Sequence, residues 1–222
     1  MKSAAFDYAK PKVLSEALAL LAEAGEDARL IAGGQTLLAT LNLRLSEPSI
    51  LIDITHLDEL KGITVIGDQL RIGALVTQTE IEDSKLIAQH APLLKAAVPH
   101  IAHRAIRNLG TWGGSLAYGD PAAEWPACSL ALNATMLIAG PAGERRISAQ
   151  DFFIDLYTTS LEPDEILVAT EFPVASSNQV FYFHELARRH GDYAVAGLAL
   201  VANKVGNVLS DCTFILIFIL FI

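Results

Sequence analysis

Two glycine pairs, each flanked by hydroxyl or amide side chains, form groups that could bind an anion. The first glycine loop, residues 32–38, reads Ala-Gly-Gly-Gln-Thr-Leu-Leu, and the second glycine loop, residues 111–117, reads Thr-Trp-Gly-Gly-Ser-Leu-Ala. Glycine permits positive φ and carries no Cβ that would keep an anion away. Successive backbone N–H groups can then converge on a phosphate oxygen, helped by a helix that starts behind them. Two such loops would suit a ligand with two phosphates.

Either loop alone is equally consistent with an ordinary tight turn. Asp120 and Glu124 follow the second glycine loop. Carboxylates are poor phosphate ligands but accept hydrogen bonds from sugar or ribitol hydroxyls, although Asp120 is as well suited to capping the next helix. No Gly-x-Gly-x-x-Gly or Gly-Lys-Ser/Thr motif stands in the right place, so a Rossmann or P-loop assignment lacks its fingerprint.

Other chemically capable residues have simpler interpretations. His100 and His103 are three apart on a predicted helix, but no carboxylate or thiol close in sequence completes a metal site. We therefore predict no metal ligand. The basic run at residues 188–190 could steer an anionic partner or be a solvated turn. Cys128 lies in an apolar stretch and is expected in the core.

Composition limits the class of protein. The 222 residues are 52% hydrophobic and 18% charged, which is typical of a packed globular protein. The net charge of −9 argues against nucleic acid or an anionic membrane as partner. Two cysteines are too few for an iron–sulfur cluster or a disulfide scaffold. No signal peptide is visible, and we expect a cytoplasmic protein without a membrane span.

The glycine loops must be positioned by short helices and strands. Apolar residues at helical spacing predict a helix over residues 13–24, with Gly25 as its cap, and Gly67-Asp68 predicts a hairpin turn. Because helices and strands do not strictly alternate, the pattern indicates an α+β fold. Strands are predicted over 28–32, 49–53, 63–66, 69–72, 135–139, 144–147, 166–172, 180–186 and 193–201. Further helical segments are predicted over 36–43, 79–103 (punctuated by Pro92 and Pro99) and 122–133.

The C-terminal part of the sequence changes character. A polar, turn-like stretch over residues 173–178 predicts a boundary, and a new unit follows it. Residues 214–222 are all apolar, too short for a membrane span, and are interpreted either as a truncated or shifted end or as a buried pair of strands.

Taken together, the motifs resemble those of one family. The two glycine loops, followed by Asp-Pro-Ala-Ala-Glu at residues 120–124, look like the FAD-binding medium subunits of the molybdenum hydroxylases, such as carbon monoxide, xanthine and nicotine dehydrogenases. Phe-Asp-Tyr at 6–8, Leu-Glu-Pro-Asp-Glu-Ile-Leu at 161–167 and Gly-Asp-Tyr-Ala at 191–194 also match. The similarity covers roughly residues 1–203, whereas the tail at 204–222 is atypical.

The resemblance implies an FAD-binding fold of the vanillyl-alcohol-oxidase-like (PCMH) type, with two subdomains and a C-terminal α+β domain. The implied boundaries are 1–55, 56–177 and 178–222, with the third domain truncated. The residues implied to bind FAD lie mainly in the glycine loops, with Glu124 bonding the ribitol and Tyr193 near the isoalloxazine ring. The full set is Leu30, Ile31, Ala32, Gly33, Gly34, Gln35, Thr36, Leu37, Ile101, Thr111, Trp112, Gly113, Gly114, Ser115, Asp120, Glu124, Leu167, His184 and Tyr193.

The implied function is electron transfer within an oxidoreductase. A large subunit would carry the molybdenum cofactor, a small subunit two [2Fe–2S] clusters, and this chain would pass electrons from the clusters through FAD to an external acceptor. The assembly would be a heterotrimer or its dimer, and no side chain of this chain is predicted to be catalytic. Two alternatives remain open: a flavin-free scaffold subunit, and a stand-alone FAD oxidase of the same fold.

Overall fold

The first part of the chain folds into a parallel sheet with one long helix. In the computed structural model, which describes residues 2–218, the strands are ordered β1-β3-β2. Helix α1 packs on the sheet through its apolar face and ends at Gly25, whose positive φ of 57° lets its N–H bond the Leu21 carbonyl. The elements are β1 (Asp7–Ala9), α1 (Leu14–Ala24), β2 (Ala28–Ile31), α2 (Leu37–Asn42) and β3 (Ile50–Asp53).

A five-stranded antiparallel sheet forms the middle of the molecule, in the order β4-β5-β10-β6-β7. A bulge between Leu167 and Ala169 interrupts the pairing of β10 with β6 beside the first sheet. Its strands are β4 (Ile63–Ile66), β5 (Gln69–Gly73), β6 (Thr135–Gly140), β7 (Gly143–Ser148) and, after the small ladder of β8 (Phe153–Asp155) and β9 (Thr158–Thr159), β10 (Ile166–Pro173). Its helices are α3 (Gln78–Asp83), α4 (Lys85–His90), α5 (Pro92–Ala97), α6 (Arg104–Arg107), α7 (Trp112–Tyr118), α8 (Glu124–Ala131) and α9 (Ala149–Phe152).

The third sheet has three antiparallel strands and packs on helices α5 and α8. It consists of β11 (Gln179–Leu186), β12 (Ala196–Val205) and β13 (Val208–Phe218). Phe183, Ala199 and Ile217 point into the core shared with the second sheet, whereas Tyr182 and Leu216 are exposed on the other face. Residues 214–218 belong to β13, so the interpretation of 214–222 as buried strands is right about the strand there. It is wrong about burial, because exposure alternates along these residues. Residues 219–222 lie outside the described residues.

Most predicted elements are present, with shifted ends. The helical stretch predicted over 79–103, punctuated by Pro92 and Pro99, consists of three short α-helices followed by a 3-10 helix at Val98–His100. Pro92 starts α5 in agreement with that prediction, whereas the break before α4, which Ser84 caps, was not predicted. The helix predicted from residue 122 begins at Glu124, and the strand predicted from 193 begins at Ala196. The second glycine loop was expected to be a loop, but most of it forms α7.

The observed mixture of helices and largely antiparallel sheets is α+β, as predicted. The three main sheets fall within 7–53, 63–173 and 179–218, while the exact domain boundaries stay a prediction. No helix within residues 2–218 is long and apolar enough to cross a membrane.

Candidate functional site

A cleft of about 650 Å³ lies where the first sheet, the helices of the second and the loop before β12 meet. This volume is in the usual range for small-molecule sites, about 300–1,000 Å³. Both glycine loops line it. The predicted binding residues on its walls are Leu30, Ala32, Gly33, Gly34, Gln35, Thr36, Leu37, Ile101, Thr111, Gly113, Gly114, Ser115, Asp120, Glu124, Leu167 and Tyr193.

The first glycine loop presents a run of free backbone donors. Among residues 2–218, no protein acceptor faces the N–H groups of residues 33–37. Thr36 precedes α2 and provides no side-chain cap for the N–H of Leu37, whereas the N–H of Leu38 already bonds the Gly34 carbonyl at 3.0 Å. Gly34 has φ of 69°, a conformation that allows neighbouring N–H groups to point to one side. This arrangement is suited to an anion such as a phosphate.

The second glycine loop differs, because the protein already uses its donors. The N–H of Trp112 bonds the Val76 carbonyl at 2.8 Å, and that of Gly113 bonds the Ala74 carbonyl at 2.8 Å. The Gly114 N–H bonds Oγ1 of Thr111, the N-cap of α7. The prediction that N–H groups of both loops converge on phosphate is therefore wrong for 112–114. This loop offers the cleft side chains instead, notably the Ser115 hydroxyl.

Close backbone packing explains two of the glycines. A Cβ at Gly33 would overlap the carbonyl of Leu109, just before the second glycine loop. A Cβ at Gly113 would overlap Ala74, after β5. Gly33 therefore allows the first glycine loop to touch the segment just before the second, and Gly113 allows α7 to pack closely on the segment after β5. Both glycines therefore permit the close packing that forms the cleft, and neither has a side chain that would fill it.

One end of the cleft carries acidic and phenolic groups, and we call it the polar recess: Asp120, Glu124, Gly191, Asp192 and Tyr193. The Tyr193 hydroxyl donates to Oδ2 of Asp120 at 3.2 Å, and burial followed by the Asp120 charge raises the pKa of Tyr193. Burial, reinforced by nearby carboxylates, raises the pKa of Glu124 to about 7. The recess can therefore offer both hydrogen-bond acceptors and, at neutral pH, a protonated carboxyl.

Apolar side chains from the core of the first sheet line another part, which we call the apolar recess. Its walls combine α1, β2, the segment after β3 and β10, so they come from both of the first two sheets. Such a surface is suited to a flat ring system. The lining residues are Leu21, Ala28, Leu30, Ile54, Leu75 and Ile166.

Gln78 is a cleft residue that the sequence analysis missed. Its side chain is buried, and its Oε1 atom has no hydrogen-bond partner within the described residues. A buried amide oxygen without a partner is unfavourable unless a ligand or water satisfies it. The Thr-x-x-Glu capping box at Thr77 marks the helix start, but nothing in the sequence places Gln78 beside the second glycine loop.

Three predicted binding residues lie outside the cleft lining. Trp112 is fully buried and its Nε1 donates to Oγ1 of Thr170 at 2.8 Å, so this indole belongs to the core. Ile31 ends β2, where its carbonyl bonds the Ile54 N–H. His184 is exposed on the outer face of β11. Ile31 follows the cleft residue Leu30 along β2, so its side chain points to the opposite face of the strand.

The other residues considered in the sequence have mixed outcomes. Within the described residues, no group of His, Cys, Asp and Glu is arranged to hold a metal ion. Cys128 is buried in the core. Asp120 accepts the Ala122 N–H before α8 begins, but Ala123, not Asp120, is the N-cap. Arg188 and Arg189 are exposed next to the loop that forms the polar recess.

The sequence matches a family described as the FAD binding domain in molybdopterin dehydrogenase, over residues 4–175. It is 42% identical over 211 residues to the nicotine 6-hydroxylase medium subunit of Paenarthrobacter nicotinovorans, covering 95% of this chain and 74% of that one. It is 40% identical over 205 residues to the carbon monoxide dehydrogenase medium chain of Hydrogenophaga pseudoflava, covering 92% and 71%.

Solved structures show the same fold. Carbon monoxide dehydrogenase from Hydrogenophaga pseudoflava has a chain that superposes with a TM-score of 0.95 at 38% identity, covering 98% of this chain and 76% of that one. Quinoline 2-oxidoreductase from Pseudomonas putida 86 gives a TM-score of 0.92 at 41% identity, covering 97% and 75%. The similarity therefore extends over all three sheets.

Proposed function

Because this chain belongs to the family of FAD-binding domains of the molybdopterin dehydrogenases, we propose that it is the FAD-carrying electron-transfer subunit of a molybdenum hydroxylase. The observation that carries the proposal is the run of free N–H groups over residues 33–37 at the wall of a 650 Å³ cleft. Two further features fit the cofactor: the unpartnered Oε1 of Gln78 and the apolar recess.

The cofactor would lie along the cleft with its pyrophosphate on the first glycine loop. The N–H groups of 33–37 and the side chains of Gln35 and Thr36 would bind the phosphates. We place the adenine in the apolar recess and the isoalloxazine beside Ile101 and Tyr193, at the polar recess. Glu124 and Ser115 would bond the ribitol hydroxyls.

Bound FAD supplies the redox chemistry, accepting and releasing electrons. The residues of this chain bind it, orient it and limit its contact with water. We infer that electrons arrive from [2Fe–2S] clusters on a small subunit and that a large subunit holds the molybdenum cofactor, in a heterotrimer or its dimer. The named medium subunits among the relatives support this arrangement. Free Cys128 and Cys212 support a cytoplasmic location.

Two glycines in the same backbone conformation provide the test. Gly34 has φ of 69° in the first glycine loop, and Gly67 has φ of 62° in the β4–β5 turn, where a Cβ would meet nothing within 4 Å. Valine is disfavoured at both, so Gly34→Val and Gly67→Val should each destabilise the fold. Only Gly34→Val should misalign the N–H groups of the first loop, and we expect it to weaken FAD binding ~10-fold or more.

The measurement is flavin absorbance per chain, followed by titration of the apoprotein with FAD. The wild type should hold about one FAD. Equal FAD affinity in the two valine variants would contradict the phosphate site on the first loop. A wild-type chain that takes up no FAD, purified alone or with its partner subunits, would rule out the flavin function and leave a scaffold role.

A further inference from the structure

A short segment, Ile101 and Ala102, forms the cleft wall next to the polar recess. Both residues line the cleft. Ala102 has φ of 42°, a left-handed conformation that alanine rarely adopts. Gly191 of the polar recess packs on it, since a Cβ at Gly191 would lie 3.1 Å from the Ala102 carbonyl oxygen. The position of this segment therefore sets the shape of one end of the site.

One buried guanidinium holds the segment. Arg107, on α6, is 6% exposed, and its Nη1 donates to the carbonyl of Ile101 at 2.8 Å and to that of Ala102 at 3.2 Å. Its Nε and Nη2 donate to the two carboxylate oxygens of Glu82 at 3.1 and 3.2 Å. The planar guanidinium has five N–H groups in a fixed geometry, so it can bond the Glu82 carboxylate and the two carbonyls at the same time. A lysine ammonium cannot do this.

The neighbouring arginine shows what a merely structural ion pair looks like here. Arg104 also bonds Glu82, at 2.9 Å, and pairs with Asp83. Its side chain is half exposed, and within the described residues it donates to no carbonyl of segment 101–102. The two arginines therefore share the Glu82 carboxylate, but only the buried Arg107 contacts the cleft wall.

We propose that Arg107 is a positioning residue for the cofactor: anchored by Glu82, it clamps the carbonyls of Ile101 and Ala102 and so fixes the wall against which the isoalloxazine lies. This inference rests on the proposed function. Because the pyrophosphate and adenine sites are built from other elements, the clamp should act on the flavin half of FAD alone. That selectivity separates positioning from a general contribution to folding.

The test compares Arg107→Lys with Arg104→Lys in the full chain. For each apoprotein, the dissociation constant of FAD is measured by flavin fluorescence, and that of ADP, which lacks the flavin half, by competition. We expect Arg107→Lys to weaken FAD binding about 10- to 100-fold, to change the visible spectrum of the bound flavin, and to leave ADP binding unchanged. Arg104→Lys should match the wild type in all three.

Glu82→Gln keeps the inference testable if Arg107→Lys does not fold. Glutamine keeps the size of the anchor and one acceptor oxygen, but it removes the charge that holds Nε and Nη2 of Arg107. The loosened clamp should hold FAD several-fold more weakly, with ADP binding unchanged. Equal loss of FAD and ADP binding, or no loss in either variant, would overturn the clamp. Failure of the wild type to bind FAD would instead refute the proposed function.

Discussion

Glu185 is expected to make the unfolding free energy depend on pH, with a sign and size that follow from its surroundings. Its side chain is buried on β11, its Oε2 has no partner within the described residues, and His100 Nδ1 lies 3.5 Å from Oε1. Burial raises the pKa of Glu185 to about 7. Burial and neighbouring histidines lower the pKa of His100, so the shifts of both groups favour their neutral forms.

The folded state therefore retains a proton on Glu185 that the unfolded chain releases near the ordinary glutamate pKa of 4.5. The contribution of Glu185 to the free energy of unfolding is fully present below pH 4.5 and is lost as the pH rises from 4.5 to about 7. Above pH 7 this contribution changes little. Between pH 5 and pH 8 the loss amounts to about 2 kcal/mol. Glutamine resembles the protonated acid in shape, so Glu185→Gln should remove this loss.

The assay is urea unfolding of the wild type and Glu185→Gln at pH 5, 6, 7 and 8, at matched flavin content. The difference in unfolding free energy between them should move by about 2 kcal/mol in favour of the variant as pH rises. Glu165→Gln is the control, because the Arg145 side chain lowers the pKa of Glu165. Its effect should be constant over this pH range. A difference between wild type and Glu185→Gln that does not vary with pH would refute the reasoning.

Two further substitutions test the corrected roles of predicted binding residues. Gly33→Val should lower the unfolding free energy by about 1–3 kcal/mol because its Cβ overlaps Leu109, and the melting temperature of the flavin-free chain should fall; an unchanged melting temperature would contradict the close approach of the loops. Trp112→Phe leaves Oγ1 of buried Thr170 without its donor, so we expect a loss of about 1–3 kcal/mol in chemical denaturation but wild-type affinity for FAD. Weaker FAD binding at unchanged stability would restore Trp112 to the site.

Local patterns predicted the elements whose cause is local. The hairpin at Gly67 follows from its turn residues, and α1 from apolar spacing and a glycine cap. Helix α7 was missed because Trp-Gly-Gly-Ser has low helix propensity. Its geometry depends on distant contacts: Gly113 packs on Ala74, and the bonds to Val76 and Ala74 hold its first turn. Tertiary packing, absent from any local window, decides that segment.

The same division applies to the site. The position of the first glycine loop between β2 and α2 was predictable, because a strand, a glycine pair and a helix follow one another in sequence. Gln78 and Arg107 were not predicted as site residues, since their importance arises from contacts with residues brought close only by folding. Trp112 and His184 lie outside the cleft lining, and a motif match could not show this because it does not say which way a side chain points.

The two glycine loops look equivalent in sequence, yet they have different roles in the site. The N–H groups of the first loop remain free for a ligand. Those of the second loop form hydrogen bonds with Val76, Ala74 and Thr111. These bonds fix the cleft wall that Gly33 of the first loop contacts. A substitution in the second loop should therefore reduce stability before it reduces affinity. At Gly34 in the first loop, the loss of affinity should exceed what the loss of stability explains. Measuring both the unfolding free energy and the FAD affinity for each glycine variant therefore distinguishes glycines that bind the ligand from glycines that are needed for packing. Sequence similarity alone does not separate the two.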